Sequence, residues 1–250
     1  MLLILSLMIE NFDTPESVFF DGNFAYVSCI NGSPTKKDGN GYIAKIKKTG
    51  EIVKKDFIKG LNAPKGIMVK DKFIFFTDID RVCVYDLDGN FVDSISITDP
   101  KGSFLNDIFV LDSILFVSDS KNNYVYKLLF KDKRLKMLSL YNVLGGPNGI
   151  FCEDDKIYIA TWQSGEILQY DTGLKEKKVV FSGLSELDGL WVENGIITVS
   201  SWDGNIYQII DGKKIVLMGN LVSPADFCLK NLIIFIPEFT ENRIKIERLE

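Results

Sequence analysis

Apolar residues along this chain occur in short runs rich in β-branched and aromatic side chains, with polar turns between them. Examples of the runs are KFIFFTD, ILFVSDS and GIITVSS, and examples of the turns are DLDGN and IIDGKK. Runs of this length and composition are typical of β-strands. Because no long apolar stripe at helical spacing accompanies them, the sequence predicts an all-β protein.

A short motif recurs six times, each time after an apolar stretch and a polar break. It reads TPESV, APKGI, FLNDI, GPNGI, ELDGL and SPADF. The third residues of the six copies are Glu16, Lys65, Asn106, Asn148, Asp188 and Ala225, and consecutive ones lie 37 to 49 residues apart. A repeat of about forty residues has room for four short strands. The sequence therefore predicts a six-bladed β-propeller with four antiparallel strands in each blade.

The repeats cover the whole chain, which predicts a single domain over residues 1–250. The repeat units are expected at about 14–58, 59–98, 99–140, 141–181, 182–218 and 219–250. The last unit holds only three strands, and residues 2–9 align with the outer strand of other units. We therefore expect this N-terminal strand to complete the last blade and remove two exposed sheet edges. A secretory signal is the alternative, although no basic residue precedes the apolar run.

Composition restricts the partners and the compartment. The net charge is −5 and the lysines are scattered, so the chain lacks the basic patch that nucleic-acid binding requires. The N-terminal apolar run is too short to span a membrane. We expect a soluble monomer in the cytoplasm, or in the periplasm if the true start lies upstream.

No CxxC pair occurs, and the four cysteines are expected to be small buried side chains.

The chain contains no histidine. This excludes a Ser-His-Asp triad, a Cys-His pair, a histidine base and any metal site built on imidazole. Chemistry here must use carboxylates, amides, hydroxyls, lysines or a metal held by oxygen atoms.

The six motif positions are expected to form a ring at one mouth of the propeller channel, because the innermost strand of every blade borders that channel. Glu16 and Asp188 supply carboxylates, and Asn106 and Asn148 supply amide oxygens. Such donors suit a hard cation, with Ca²⁺ favoured and Mg²⁺ or Mn²⁺ as alternatives. In the competing interpretation the ring holds only water, and Lys65 pairs with a carboxylate.

The order of these residues, with Glu in the first unit, then LND, PNG and LDG, resembles the family of senescence marker protein, gluconolactonase and luciferin-regenerating enzyme. The resemblance implies a divalent cation held by Glu16, Asn148 and Asp188, with Asn106 near the substrate or a metal-bound water. It also implies hydrolysis of a sugar lactone or a related ester. Asp188 would then be the general base and Asn106 a second catalytic residue that orients the substrate or the water.

Two positions depart from that family. An arginine commonly stands two residues before the third-unit asparagine, where this chain has Phe104, and Lys65 has no matching role. The strands are equally similar to NHL-type repeats, many of which bind partners without catalysis. The alternative function is therefore a noncatalytic propeller that binds a protein or a small ligand. Such a module should display an exposed apolar patch at its mouth or rim.

Side chains around the same mouth are expected to contact a substrate. Lys65 belongs to the ring, and Trp162 and Trp202 occupy equivalent places in neighbouring blades. The two tryptophans could form an apolar or sugar-stacking wall, or they could pack between blades. The longest loop at this mouth, about residues 30–41, is either a lid or an ordinary insertion.

Overall fold

The computed structural model describes residues 6–249, in which six four-stranded antiparallel sheets form the blades of a propeller. This confirms the predicted fold class. In five blades the strand order within the sheet follows the chain. The innermost strands of neighbouring blades contact one another and enclose the central channel. Between residues 6 and 249, helix is limited to one 3-10 turn, Phe239–Glu241.

The strands follow one another along the chain in the order of the blades. The first described strand is β1 (Ser6–Ile9). Blade one contains β2 (Pro15–Phe20), β3 (Phe24–Cys29), β4 (Gly41–Lys47) and β5 (Ile52–Leu61). Blade two contains β6 (Pro64–Lys70), β7 (Phe73–Asp78), β8 (Arg81–Asp86) and β9 (Phe91–Ser96). Blade three contains β10 (Leu105–Leu111), β11 (Ile114–Asp119), β12 (Tyr124–Lys131) and β13 (Arg134–Asn142). Blade four contains β14 (Pro147–Glu153), β15 (Lys156–Thr161), β16 (Ile167–Asp171) and β17 (Lys178–Phe181). Blade five contains β18 (Leu187–Glu193), β19 (Ile196–Ser201), β20 (Asn205–Ile210) and β21 (Lys213–Met218). Blade six contains β22 (Cys228–Lys230), β23 (Ile233–Glu238) and β24 (Arg243–Arg248), together with β1.

Burial changes from the channel outwards within each blade. The second strands β7, β11 and β15 have nearly continuous buried runs, because each sheet packs against a neighbour on both faces. The outer strand β13 instead alternates between exposed and half-buried positions. The apolar core therefore lies between the sheets, and it leaves the channel side to polar groups.

The last blade is closed by the N-terminal strand. β1 pairs with β24 in antiparallel register, with Ile9 opposite Ile244. On the channel side, Asp226 N donates to Glu16 O at 2.9 Å and joins blade six to blade one. Residues 2–5 of the expected closing strand lie outside the described residues.

Buried hydroxyl groups connect the second strand of one blade to the innermost strand of the next. They donate to backbone carbonyls at the ring positions. The three bonds are Thr77 Oγ1 to Asn106 O at 2.6 Å, Ser118 Oγ to Asn148 O at 2.7 Å, and Ser200 Oγ to Ala225 O at 2.9 Å. Each bond gives a buried backbone carbonyl a hydrogen-bond partner. The three bonds thus tie ring positions to the preceding blades.

All four cysteines are buried and free of disulfide bonds, as expected for small apolar side chains. Within residues 6–249, no helix has the length and apolar character needed to cross a membrane.

Candidate functional site

A β-bulge occurs at the recurring motif in five blades. The strand register shifts at Pro15/Ser17, Pro64/Ile67, Leu105/Ile108, Pro147/Ile150 and Leu187/Leu190. A bulge places two residues of one strand opposite a single residue of the partner strand and changes the direction of a side chain. The motif residue falls inside each bulge, so the repeated irregularity explains how five ring side chains reach the same space.

That space is a cavity of about 310 Å³ at one mouth of the channel. Five of the six ring residues line it, and they are Glu16, Lys65, Asn106, Asn148 and Asp188. The sixth, Ala225, is fully buried and is not part of the cavity lining. The predicted convergence of the polar ring residues is therefore present, while their roles stay predictions.

Two oxygen atoms at this cavity lack a hydrogen-bond partner. Glu16 Oε2 and Asn148 Oδ1 are buried and unpaired, and the only other such side-chain atom in residues 6–249 is Trp191 Nε1. Asn148 Nδ2 donates to Leu187 O at 3.2 Å, which fixes the orientation of the amide. Buried unpaired acceptors are uncommon and point to an ion or an ordered water.

Asp188 lies beside these atoms and is hydrogen-bonded to a tryptophan. The indole Nε1 of Trp202 donates to Asp188 Oδ2 at 2.7 Å. Burial raises the pKa of the Asp188 carboxyl to about 7, against the opposing effect of the bonds from Trp202 and Asn148. Trp202 lines the cavity, as predicted for a wall residue, and it also orients a carboxylate, which sequence reasoning missed.

Lys65 is buried but does not pair with a ring carboxylate. Its Nζ donates to Pro34 O at 3.0 Å and to Ala63 O at 3.1 Å, and it lies 4.4 Å from the centre of the Phe104 ring. No ion pair within 4.0 Å joins Lys65 to Glu16 or Asp188 in the part of the chain that the structure describes. The ammonium group therefore leaves the unpaired oxygens of the ring open to another cation.

The charges of the ring perturb one another. The pKa of Glu16 is raised well above its ordinary value by burial and by the charge of Asp188, while Lys65 opposes this change. Burial lowers the pKa of Lys65 to about 8, although Glu16 and Asp78 act in the opposite direction. The site thus disfavours its own negative charge, and an added cation would offset this penalty.

A second pair of buried carboxylates, which sequence reasoning missed, lies one residue further along the innermost strands. Asp107 accepts hydrogen bonds from Ile150 N at 2.8 Å and Ile108 N at 2.7 Å, and Asp226 accepts one from the Ser17 hydroxyl. Burial raises the pKa of Asp107 to about 7. Burial and the nearby Asp107 charge raise the pKa of Asp226 well above its ordinary value.

Glycines make room for these two carboxylates. A Cβ on Gly66 would lie 2.5 Å from Asp107 Oδ1, and a Cβ on Gly189 would lie 2.7 Å from Asp226 Oδ1. The glycine that follows the ring residue in KGI and DGL is the sequence signal that could have predicted these buried carboxylates. It marks a close approach between neighbouring innermost strands.

The residues at the mouth fit a hard cation in chemistry. Glu16 and Asp188 offer carboxylate oxygens and Asn148 offers an amide oxygen, which are the ligand types that Ca²⁺ and Mg²⁺ take. In residues 6–249, no three His, Cys, Asp or Glu side chains gather as a metal-binding group. The candidate set therefore has two acidic ligands and one neutral ligand, and water would have to complete the coordination.

Buried acids at the ends of second strands hold the loops that lead into the ring. Asp78 Oδ1 accepts Ala63 N at 2.7 Å, Asp119 Oδ1 accepts Phe104 N at 3.2 Å, and Glu238 Oε1 accepts Val222 N at 2.8 Å. These acids stabilise the loop that enters the innermost strand in blades two, three and six. They bind backbone N–H groups of these loops and are not part of the candidate site.

Above the ring, the residue that directly follows each second strand forms a collar. The collar residues are Ile30, Ile79, Ser120, Trp162, Trp202 and Phe239. The rings of Trp162 and Trp202 are 5.2 Å apart, and those of Trp202 and Phe239 are 5.3 Å apart. Trp162 and Trp202 therefore both line the cavity and pack between blades, so the two alternatives drawn from the sequence are compatible.

Comparison with known proteins finds likeness in structure alone. The sequence matches no protein-family model and no curated protein. The chain is similar to the solved structure of a catalytically inactive histidine-to-alanine variant of virginiamycin B lyase from Staphylococcus aureus with quinupristin, at 18% identity and a TM-score of 0.66. That alignment covers 98% of this chain and 99% of the other.

A selenomethionine-substituted virginiamycin B lyase from Staphylococcus aureus is similar at 18% identity and a TM-score of 0.65, over 99% of this chain and 100% of the other. Both similarities support the propeller fold. The narrower resemblance to the gluconolactonase family rests on the ring residues alone and stays a prediction.

Proposed function

We propose that this protein is a divalent-cation-dependent hydrolase that acts on a lactone or a related ester in the cavity at the channel mouth. The observation that carries the proposal is the pair of buried, unpaired oxygens, Glu16 Oε2 and Asn148 Oδ1, beside the Asp188 carboxylate. A site used only for packing would pair or remove these oxygens, because leaving a buried acceptor unsatisfied costs about 1–3 kcal/mol.

Glu16, Asn148 and Asp188 would hold the cation. Ca²⁺ is favoured, since its coordination is flexible and accepts amide and carboxylate oxygens together with water. When bound, such an ion supplies Lewis-acid polarisation of a carbonyl oxygen. Burial and, second, repulsion from Asp188 raise the pKa of Glu16, and the ion would also offset this repulsion.

The side chains of the chain would provide the remaining chemistry. Asp188 accepts a proton from the attacking water while the oxygen of that water bonds to the acyl carbon of the substrate. The bond between the acyl carbon and the ester oxygen of the lactone then breaks, and the proton passes from Asp188 to the departing oxygen to give a hydroxy acid. Asn106, whose Nδ2 donates to Ser120 Oγ at 3.2 Å, is held in place to orient the substrate or the water.

This chemistry differs from that of the structural neighbours. One virginiamycin B lyase variant, in which alanine replaces a histidine, is catalytically inactive. The present chain has no histidine, so it cannot use the same group. The shared propeller therefore supports an enzyme scaffold, and the proposed reaction rests on the oxygen-bearing ring.

A noncatalytic binding module is the second candidate. Leu144, in the loop that precedes β14, is 65% exposed, and Val222, in the loop that precedes blade six's innermost segment, is 39% exposed. Both loops lead into the ring, so the mouth carries apolar side chains that a partner could cover. In this case any cation at Glu16 and Asp188 would serve structure alone.

The test is to measure metal content and Ca²⁺ affinity by elemental analysis and calorimetry, with turnover of a panel of lactones and esters in parallel. The wild type is compared with the Glu16→Gln/Asp188→Asn variant and with Asp154→Asn, a control in an exposed turn. We expect stoichiometric binding and cation-dependent turnover in the wild type and the control, and neither in the double variant. Absence of Ca²⁺, Mg²⁺ and Mn²⁺ binding by the wild type would overturn the proposal.

A further inference from the structure

The cavity has a polar floor and an apolar wall. Its floor is the ring, and its wall includes the collar side chains Ile30, Trp162, Trp202 and Phe239 together with Phe104. Three aromatic collar residues come from three successive blades and contact one another in series. A ligand that reaches the ring must therefore place part of its surface against a continuous aromatic face.

Three polar groups at this cavity are already engaged. Trp202 Nε1 donates to Asp188, and Ser120 Oγ donates to Pro147 O at 2.7 Å. Lys65 Nζ donates to two backbone carbonyls. A ligand with many hydroxyl groups would exchange hydrogen bonds with water for contacts with aromatic rings, which is unfavourable. An apolar group in the same place would gain from leaving water.

We propose that the ligand of this cavity carries an aryl or hydrocarbon substituent that packs on Trp162, Trp202 and Phe239, while its carbonyl group faces the ring. This rests on the proposed function for the lactone or ester part of the ligand. It narrows the proposed substrate class from lactones and related esters in general to those with an apolar substituent.

Binding is tested with lactams, which resist hydrolysis. The three probes are γ-phenyl-γ-butyrolactam, unsubstituted γ-butyrolactam and D-glucono-δ-lactam, each titrated by calorimetry with Ca²⁺ present. We expect the phenyl compound to bind at least about tenfold more tightly than the other two, because an additional ring leaves water. Equal or tighter binding of the polyhydroxylated lactam would overturn the inference.

Variants locate the substituent on the collar. Trp162→Ala and Phe239→Ala should each reduce the preference for the phenyl compound at least about threefold. The matched control is Phe91→Ala, which removes a phenylalanine that is 59% exposed on the outer strand β9. Thermal unfolding confirms that each variant is folded. A preference that persists in both collar variants would overturn the inference.

Turnover of γ-phenyl-γ-butyrolactone and D-glucono-δ-lactone separates the two proposals. If the protein binds the phenyl compound preferentially but hydrolyses no lactone, the result supports the proposed ligand class and contradicts the hydrolase function. Hydrolysis of the sugar lactone without phenyl preference supports the hydrolase and overturns the ligand class.

Discussion

The indole Nε1 of Trp202 donates a hydrogen bond to Oδ2 of Asp188 at 2.7 Å, so a residue of the aromatic collar also orients a carboxylate of the ring. The two residues lie in one blade, 14 positions apart along the chain. The contact engages one carboxylate oxygen of Asp188 and so restrains the orientation of the carboxylate. It couples the wall, where the apolar part of a ligand would bind, to the proposed catalytic group.

Removing this hydrogen bond should weaken cation binding. Trp202→Phe keeps an aromatic ring in the collar but loses the indole N–H. We expect the affinity for Ca²⁺ to fall about tenfold, in line with the effect of losing a group that orients a metal ligand. Calorimetry measures this. Trp191→Phe is the control, because Trp191 Nε1 has no partner and that residue is not among those lining the ring cavity. Equal Ca²⁺ affinity in Trp202→Phe and the wild type would contradict the positioning role.

Without a cation, the protein should lose stability as the pH rises. The folded-state pKa values of Asp107 and Asp188 are about 7, whereas free aspartate titrates near 4. Folding therefore favours the protonated acids, so their contribution is present below about pH 4 and is lost as the pH passes about 7.

We expect the unfolding midpoint in chelator to be roughly 5–10 °C lower at pH 8 than at pH 5.5. Differential scanning calorimetry measures this, and added Ca²⁺ should raise the midpoint more at pH 8. Asp188→Asn should make the pH dependence shallower. A midpoint that stays constant or rises between pH 5.5 and pH 8 in chelator would refute this account.

Lys65 should hold the loop over residues 31–40. Its Nζ donates to Pro34 O, so Lys65→Met leaves that carbonyl without its partner. We expect faster trypsin cleavage after Lys36 and Lys37, the two lysines of this loop, because local opening of the loop becomes easier. Gel analysis of timed digests measures the rate. Lys48→Met, at an exposed lysine outside this loop, is the control, and a rate in Lys65→Met no faster than in that control would contradict the anchoring role.

Gly66 and Gly189 should be intolerant of any side chain. A Cβ at either position would lie within 2.7 Å of a buried aspartate in the next blade. Gly66→Ala and Gly189→Ala should each lower the free energy of unfolding by about 1–3 kcal/mol. Urea denaturation measures this loss. Gly219→Ala is the control, because its nearest contact, at 3.0 Å, is a side-chain atom of Asn205. A loss no larger than that of the control would show that the innermost strands can separate.

The sequence by itself determined the architecture. Recurrence of one motif at intervals of about forty residues, with β-branched and aromatic runs between the copies, predicted repeated four-stranded units. The incomplete last unit predicted closure by the N-terminal strand, and β1 does pair with β24. The same recurrence identified Glu16, Lys65, Asn106, Asn148 and Asp188 as one set, since equivalent positions of a propeller face one channel. All five line the cavity.

Only the tertiary structure decided how those side chains are used. The sequence could not show that Lys65 turns to Pro34 O instead of a carboxylate, because that choice depends on where the loop over residues 31–40 packs. Nor could it show that Trp202 donates to Asp188, or that Asp107 and Asp226 accept hydrogen bonds from neighbouring blades. Repeat spacing specifies which strand positions are equivalent, whereas burial and hydrogen bonding at each position depend on neighbouring blades that are distant in sequence.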